Sequence, residues 1–288
     1  MRQDLPRVIP ARARFALRRG YEVVSEQWER VRGRKDPLVP PAGLMFVGGG
    51  RRDFRPLGEK WVATFIRVAN LERHEQVLDV GCGVGRMAVG LTGYLSPSAR
   101  YEGFDIVSKG IEWCRREIST RFPNFGFQHA DLYNHEYNPS GRLQASEYRF
   151  PYPDESFDFA FMTSVFTHML PADIRNYLGE VHRVLKPGGR CLITWFVLNP
   201  EARELIASGR AGARNFEHDL GGYWVVDPGQ PEAAVAYTEP TVHQFYREAN
   251  LAIQDPILYG AWCGRPKPLT GHSQDIVLAT KRGLSKAA

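Results

Sequence analysis

Short apolar runs alternate with helical spacings through the middle of the chain. The runs are residues 76–80, 100–104, 125–129, 157–162 and 190–198. Between them, apolar residues recur three and four apart near 85–95, 108–121 and 171–185, the repeat of helices with one buried face. Strand-length runs alternating with helices predict βαβ units, and so a mostly parallel sheet with helices on both sides. Upstream, "GEKWVATFIRVANLE" places Trp61, Val62, Phe65, Ile66 and Ala69 on one helical face. Residues 11–33 have similar spacing through Phe15, Leu17, Tyr21, Val24 and Trp28, which predicts an N-terminal amphipathic helix. The stretch between these helices, "KDPLVPPAGLMFVGGGRRDFRPLG", is rich in proline and glycine and reads as loop. "LKPGGR" (185–190) reads as a helix stop and a turn into the fifth strand, with Gly188 and Gly189 at positions a Cβ would obstruct.

After residue 199 the rhythm breaks. Residues 200–237 hold a short helix and then an irregular aromatic segment. "TEPTVHQFYREANL" follows as a capped helix, with Thr238 at the N-cap and Pro240 in the first turn. "AIQDPILYGAW" and "SQDIVLAT" predict an antiparallel pair at one sheet edge. A second long interruption separates the third and fourth strands, "YNHEYNPSGRLQASEYRFPYPDESFD", and exceeds ordinary connection lengths; it reads as a lid or a subunit contact. The triple glycine upstream of residue 51 reads as part of a loop that folds over the site.

Composition refines this picture only modestly. The 288 residues are 43% hydrophobic and 24% charged, ordinary for a globular protein of one large domain. No apolar run is long enough to span a bilayer, and the basic N-terminus lacks a following apolar segment, so a cytoplasmic location is expected. The four cysteines lie far apart with no CxxC, which predicts reduced structural thiols and no metal site. The net charge is +5, and 30 of the 37 basic residues are arginine. Nine of these arginines fall in the first 35 residues. Aromatics there are too sparse for a base-stacking platform, so nucleic acid is disfavoured and a basic helix or lid expected.

The chemistry starts at "QVLDVGCGVGRMAVGL", residues 76–91. A dinucleotide fingerprint would need glycine at position 86, where this chain has Arg86. Glycine instead occupies 81, 83 and 85, a loop that lets backbone N–H groups and a helix start approach a compact anion. Asp79, just before it, is placed to accept from a cationic group. Asp105 ends the second strand and offers two acceptor oxygens suited to the vicinal hydroxyls of a ribose. Asp131 follows the third strand and could accept from an adenine amino group. Amino acid, ribose and adenine together sketch S-adenosylmethionine.

With "FDFAFMTSVFTHM" and "LKPGG", this ordered set resembles the class I S-adenosylmethionine-dependent methyltransferases, well over residues 58–199 and loosely beyond. The resemblance implies an α/β, Rossmann-like three-layer sandwich around a mostly parallel seven-stranded sheet whose last strand is antiparallel. It divides the chain into an N-terminal basic extension or lid (1–57) and a methyltransferase domain (58–288) with insertions near 133–155 and 200–237. The cofactor positions it implies are Asp79, Gly81, Gly83, Gly85, Arg86, Asp105, Ile106, Asp131, Leu132 and Thr163, with Met162 as a further lining residue and Ile106 packing on the adenine.

On the acceptor side, His168 in "SVFTHM" reads either as a general base or as a positioning residue. Glu217, His218 and Asp219 form a second polar candidate cluster, with Tyr223 and Trp224 as pocket wall or loop anchor. No Asn-Pro-Pro-Tyr-like segment, Pro-Cys pair or acid cluster follows the fourth strand. These absences disfavour methylation of base or glutamine nitrogens, of pyrimidine carbon, and metal-dependent O-methylation. "SVFTHM" with "VGGG…DF" is similar to bacterial methyltransferases of glycan and secondary-metabolite pathways. The expectation is O-methylation of a small-molecule hydroxyl in a sugar, glycolipid or natural product. N- or C-methylation of a metabolite, action on RNA or protein, and a non-catalytic cofactor-binding scaffold remain the alternatives, and the oligomeric state is open.

Overall fold

The computed structural model describes Glu26 and residues 36–46, 48–266, 268 and 270–283. The helix expected over 11–33 and the basic arm lie outside the described residues, save for Glu26, whose carboxylate accepts from the Ala42 N–H at 3.0 Å. Helix α1 runs Phe54–Ala69, four residues earlier than its apolar pattern suggested. The Asp53 carboxylate, accepting from the Gly50 N–H at 3.1 Å, closes the turn that leads into it. The alternation then follows as strand β1 (Gln76–Val80), α2 (Arg86–Thr92), β2 (Arg100–Asp105), α3 (Ser108–Cys114), β3 (Phe125–His129), β4 (Phe157–Met162), α4 (Pro171–Val184) and β5 (Leu185–Trp195). The α3 segment continues through a wider π-turn over Arg115–Ser119.

The central sheet has seven strands. The C-terminal part supplies α6 (Glu239–Glu248), β10 (Leu251–Ile253) and β11 (Asp275–Lys281). In space the order is β3-β2-β1-β4-β5-β11-β10, with β11 antiparallel to both of its neighbours. The closing pair stands at one edge of the sheet as expected, β10 outermost and β11 joining it to β5. The fifth strand starts earlier than expected. Leu185 already pairs with Phe157, and the Lys-Pro-Gly-Gly segment is an irregularity within the strand rather than a turn before it. Gly188 is there for its left-handed backbone (φ +79°), whereas a Cβ on Gly189 would meet the Lys186 carbonyl at 2.8 Å.

The period-two pattern of each strand sorts side chains onto two cores. Leu78 and Val80 face a core completed by α4 and α6, while Val77 faces one completed by α1, α2 and α3. Helix on each face of the sheet makes three layers. Helices α1 and α2 cross in contact because Gly58 and Gly90 leave room: a Cβ on Gly58 would lie 2.5 Å from the Arg86 carbonyl. All four cysteines are buried and unpaired. Among the described residues no helix is long and apolar enough to cross a membrane.

The interruption after β5 holds the expected short helix together with a small sheet that the sequence did not disclose. It contains β6 (Val197–Leu198), α5 (Pro200–Ala207), β7 (His218–Asp219), β8 (Trp224–Val225) and β9 (Val235–Thr238), and the strands form a small sheet in the order β6-β9-β8-β7. Its own apolar cluster, which includes Phe196, Leu205, Phe216 and Trp262, fastens it beside the end of β5.

Candidate active site

The C-terminal ends of β1, β2, β4 and β5 open onto one cavity of about 720 Å³, the position that open α/β sheets reserve for ligands. At the β1 end, Gly81, Gly83 and Gly85 all have positive φ (+78°, +57° and +72°). A Cβ on Gly81 would lie 2.4 Å from Val165 Cγ2, so any side chain there would displace the β4 connection. Gly85 faces away from the cavity, against Ile118 and Cys114. The loop is not the open nest of N–H donors that the sequence suggested. The Gly81 and Cys82 N–H groups donate to the Phe104 carbonyl, that of Gly83 to Asp105, and that of Gly85 to the Cys82 carbonyl. Its glycines bring backbone close to the cavity, and the donors lie elsewhere.

Asp105 is the hinge of this end. Its Oδ2 accepts from the Gly83 N–H at 2.7 Å and its Oδ1 from the Val107 N–H at 2.9 Å. Burial pushes its carboxyl up, and the backbone N–H groups oppose that shift. Each oxygen keeps a lone pair for a further donor. Arg86 opens α2 on the cavity wall. It donates to the Gly48 carbonyl, lies over the Phe54 ring, and keeps a buried Nε with no partner. Burial pulls its pKa down to about 10, so it remains a cation at neutral pH. Ile106, Leu132 and Thr163 complete this wall, and Phe46 and Gly48 bring the upstream loop over it.

Two acids expected here stand elsewhere. Asp79 does not reach the cavity wall. The strand alternation turns it into the core beneath the loop, where Oδ2 accepts from the Tyr101 hydroxyl at 2.6 Å and Oδ1 has no partner. Burial pushes its carboxyl up to about 8, against the opposing Tyr101 hydrogen bond. Asp131 lies outside the wall and binds Arg142 of the first insertion, with Nε 2.6 Å from Oδ2; that hydrogen bond holds its carboxyl low. Its neighbour Leu132 faces the cavity instead. Met162 is fully buried in the core and does not line the wall.

The opposite end of the cavity is built from both insertions. His168 stands in the 3₁₀ turn Phe166–His168 that follows β4, with Nδ1 2.9 Å from the main-chain carbonyl of Glu232. A carbonyl only accepts, so Nδ1 carries the proton and the Nε2 lone pair is left as the ring's base. Among the described residues Nε2 has no hydrogen-bond partner. The Glu232 carboxyl also faces the cavity, accepting from Asn134 at 3.4 Å. Burial pushes it up, Asp173 adds to that shift, and His135 opposes it. Trp61 of α1 walls the β4–β5 side, stacked on His272 at 3.7 Å. The His272 Nε2 lies 2.8 Å from the Thr64 hydroxyl, and burial pulls this imidazole down to about 4.

The polar cluster expected at 217–219 is not brought to this chamber. His218 and Asp219 are exposed on the edge strand β7, and the Asp219 carboxylate closes the β7–β8 turn by accepting from the Gly221 and Gly222 N–H groups at 2.9 and 3.2 Å. Tyr223 and Trp224 anchor the loop, Tyr223 against Tyr237 and Trp224 beneath Arg203. The polar residues that do line the chamber, Asn134, His135, Arg214, Glu232 and Gln274, escaped the sequence reading. Asn134, His135, Arg214 and Glu232 come from the irregular insertions, which have no period, and Gln274 directly precedes β11.

Comparison with known proteins agrees with this geometry. Residues 78–193 match a family model described as "Methyltransferase domain". Over these residues the chain is similar to methyltransferase domains. It is 36% identical over 115 residues to the phthiotriol/phenolphthiotriol dimycocerosates methyltransferase of Mycobacterium tuberculosis, a match covering 40% of this chain and 35% of that protein. It is 35% identical over 121 residues to the fatty-acid O-methyltransferase of Mycolicibacterium smegmatis, covering 42% and 36% respectively. The chain thus spans about a third of the length of these curated relatives. The PH0226 protein of Pyrococcus horikoshii has the same fold, with a TM-score of 0.55 at 16% identity over 89% of this chain and 99% of that one.

Proposed function

We propose that the protein is an S-adenosylmethionine-dependent methyltransferase that methylates a hydroxyl of a small molecule, in a sugar, a glycolipid or another natural product. The observation that carries the acceptor half of this reading is the His168–Glu232 contact. It leaves an imidazole with its basic nitrogen free on the wall of a cavity whose other end suits the cofactor.

The residues at that other end fit the cofactor. The backbone of Gly81 and Gly83 reaches the cavity wall, the buried Arg86 Nε lacks an acceptor, and the Asp105 carboxylate has lone pairs to spare. In this assignment Asp105 accepts from the ribose hydroxyls and Arg86 meets the carboxylate of the amino-acid part. Ile106, Leu132 and Thr163 pack along the remainder, beside the backbone of Gly81 and Gly83. The cofactor supplies a methyl group made electrophilic by its sulfonium sulfur. With the methyl donor bound, His168 Nε2 would take the proton of the acceptor hydroxyl as that oxygen accepts the methyl group. The insertions exclude water from that alignment, from which most of the rate of an in-line displacement can come.

The two mycobacterial relatives, named for methyl transfer to lipid and fatty-acid acceptors, support a small-molecule acceptor over RNA or protein. The test is S-adenosylmethionine carrying a labelled methyl, incubated with the protein and a bacterial extract separated by mass. Label in the low-mass or lipid fractions supports the assignment. Label in RNA or protein, or none despite calorimetric cofactor binding, would sink it.

A further inference from the structure

The chamber walled by the insertions contains a cation that nothing around it neutralises. Arg214 lies between α5 and β7, on the cavity wall, with its guanidinium 5.3 Å from the centre of the Phe196 ring. Among the described residues no carboxylate pairs with it and no carbonyl accepts from it. The other arginine of the wall, Arg86, is already engaged with Gly48, and Arg142 of the first insertion is occupied by Asp131. The Glu232 carboxyl is not its partner either, since it is turned to Asn134.

The order of the sheet says which ligand this cation serves. The glycine loop follows β1 and Asp105 ends β2, whereas Phe196 follows β5. Strand β4, which leads to His168, lies between β1 and β5. At about 4.8 Å per strand, the Phe196–Arg214 pair sits roughly 10 Å across the sheet from the glycine loop, on the far side of the base. A group held there belongs to the acceptor. An aromatic face under a guanidinium orients the head group without using up its N–H donors, and those donors match the oxygens of a carboxylate or phosphate.

We propose that the acceptor is a hydroxylated anion, whose carboxylate or phosphate is held by Arg214 against Phe196 while its hydroxyl lies toward His168 and Glu232. The proposal rests on the reading of this chamber as the acceptor site and adds the substrate class. It makes Arg214 a specificity residue that binds the acceptor and takes no part in the proton transfer.

The experiment separates a bacterial metabolite extract into anionic and neutral pools by anion exchange before the reaction. Each pool is then offered, in a dilution series with methyl-labelled S-adenosylmethionine, to the protein and to its Arg214→Gln and Arg214→Lys variants. Separation must come first, because methylation of a carboxylate would itself remove the charge. Expected is label in the anionic pool, reduced about ten- to hundredfold at limiting pool concentration by Arg214→Gln and partly restored by Arg214→Lys. Cofactor affinity by calorimetry and the melting temperature should match in all three, since the side chain is exposed and outside the core. Phosphatase treatment of the anionic pool distinguishes the sources: lost label means a phosphate, retained label a carboxylate. Label in the neutral pool, equal in the parent protein and Arg214→Gln, overturns the proposal while leaving the methyltransferase reading intact. Weakened cofactor binding in Arg214→Gln overturns it too, by placing the residue at the other end. No label in either pool, with cofactor bound, is a failure of the acceptor-site reading and removes the proposal with it.

Discussion

The two ends of the cavity are built by different means. The end beside β1 and β2 is made of backbone and strand termini. Its glycine loop is fastened to β2 through the Phe104 carbonyl and the Asp105 carboxylate and to itself through Gly85 and Cys82, and Asp105 ties the loop to the start of α3 by accepting from Gly83 and Val107. The end beside β4 and β5 is made of the turn after β4 and two irregular insertions: His168 meets the Glu232 carbonyl, and Asn134 of the first insertion meets the Glu232 carboxyl of the second. The first end is rigid because its geometry is part of the sheet. The second is specified by loops, so it can change from one acceptor to another without disturbing the fold. The comparison teaches that the cofactor half is inherited with the architecture, whereas the acceptor half has to be deduced from this chain's own residues.

The largest effect expected from breaking that comparison falls on the acceptor end. His168→Ala should lower methyl transfer about 10²- to 10⁴-fold, the range for removing a general base, with cofactor affinity by calorimetry unchanged. Parallel loss of both would instead make His168 a wall residue shared by the two ends. Asp105→Ala should weaken cofactor binding roughly a hundredfold while far-ultraviolet circular dichroism stays native; undiminished affinity would remove Asp105 from the ribose assignment.

A pair of glycine variants then compares rigidity directly. Gly81→Ala, left-handed and 2.4 Å from Val165, should cost about 3 kcal/mol in denaturant unfolding. Gly221→Ala in the insertion, equally left-handed (φ +86°) but with open space around it, should cost only about 1 kcal/mol and leave cofactor binding untouched. Similar losses at both positions would contradict the contrast drawn between the ends.

The remaining effect is a gain. The Asp79 carboxyl is raised from 3.8 to about 8, so the folded protein holds a proton there that the unfolded chain releases. Its contribution to stability is therefore present below pH 4 and lost as the pH rises to 8. Asp79→Asn removes that dependence. The variant should match the parent protein near pH 4 and be the more stable of the two at pH 8, with cofactor affinity retained. Weaker cofactor binding in this variant would restore Asp79 to a ligand role that its buried position argues against.

The parts legible in the sequence were those with a period or a fixed interval. The five apolar runs became β1 to β5, the three helical spacings became α2, α3 and α4, and Thr238 caps α6 through the Thr241 N–H, as its position before Pro240 implied. Gly81, Gly83, Asp105 and His168 were named from their places along the chain and Arg86, Ile106, Leu132 and Thr163 from the resemblance, and all of them line one cavity. Asp79 and Asp131 were named by the same reasoning and face elsewhere. Spacing along a strand says which residue comes last, but the pleat decides which face it takes, and a neighbouring arginine can claim a carboxylate that no period assigns.

What the sequence determined by itself was the sheet, its two cores and the glycine loop at its switch point, because hydrophobic period and left-handed backbone are local properties that a short window of residues expresses. What only the tertiary structure decided was which groups of the two insertions and the turn after β4 meet. His168 finds the Glu232 carbonyl 64 residues away, and Arg214 comes to rest on Phe196. His218 and Asp219, the more conspicuous polar pair, spend themselves on an exposed hairpin. Such contacts depend on how separate loops pack on a finished scaffold, and no repeat in the chain encodes them.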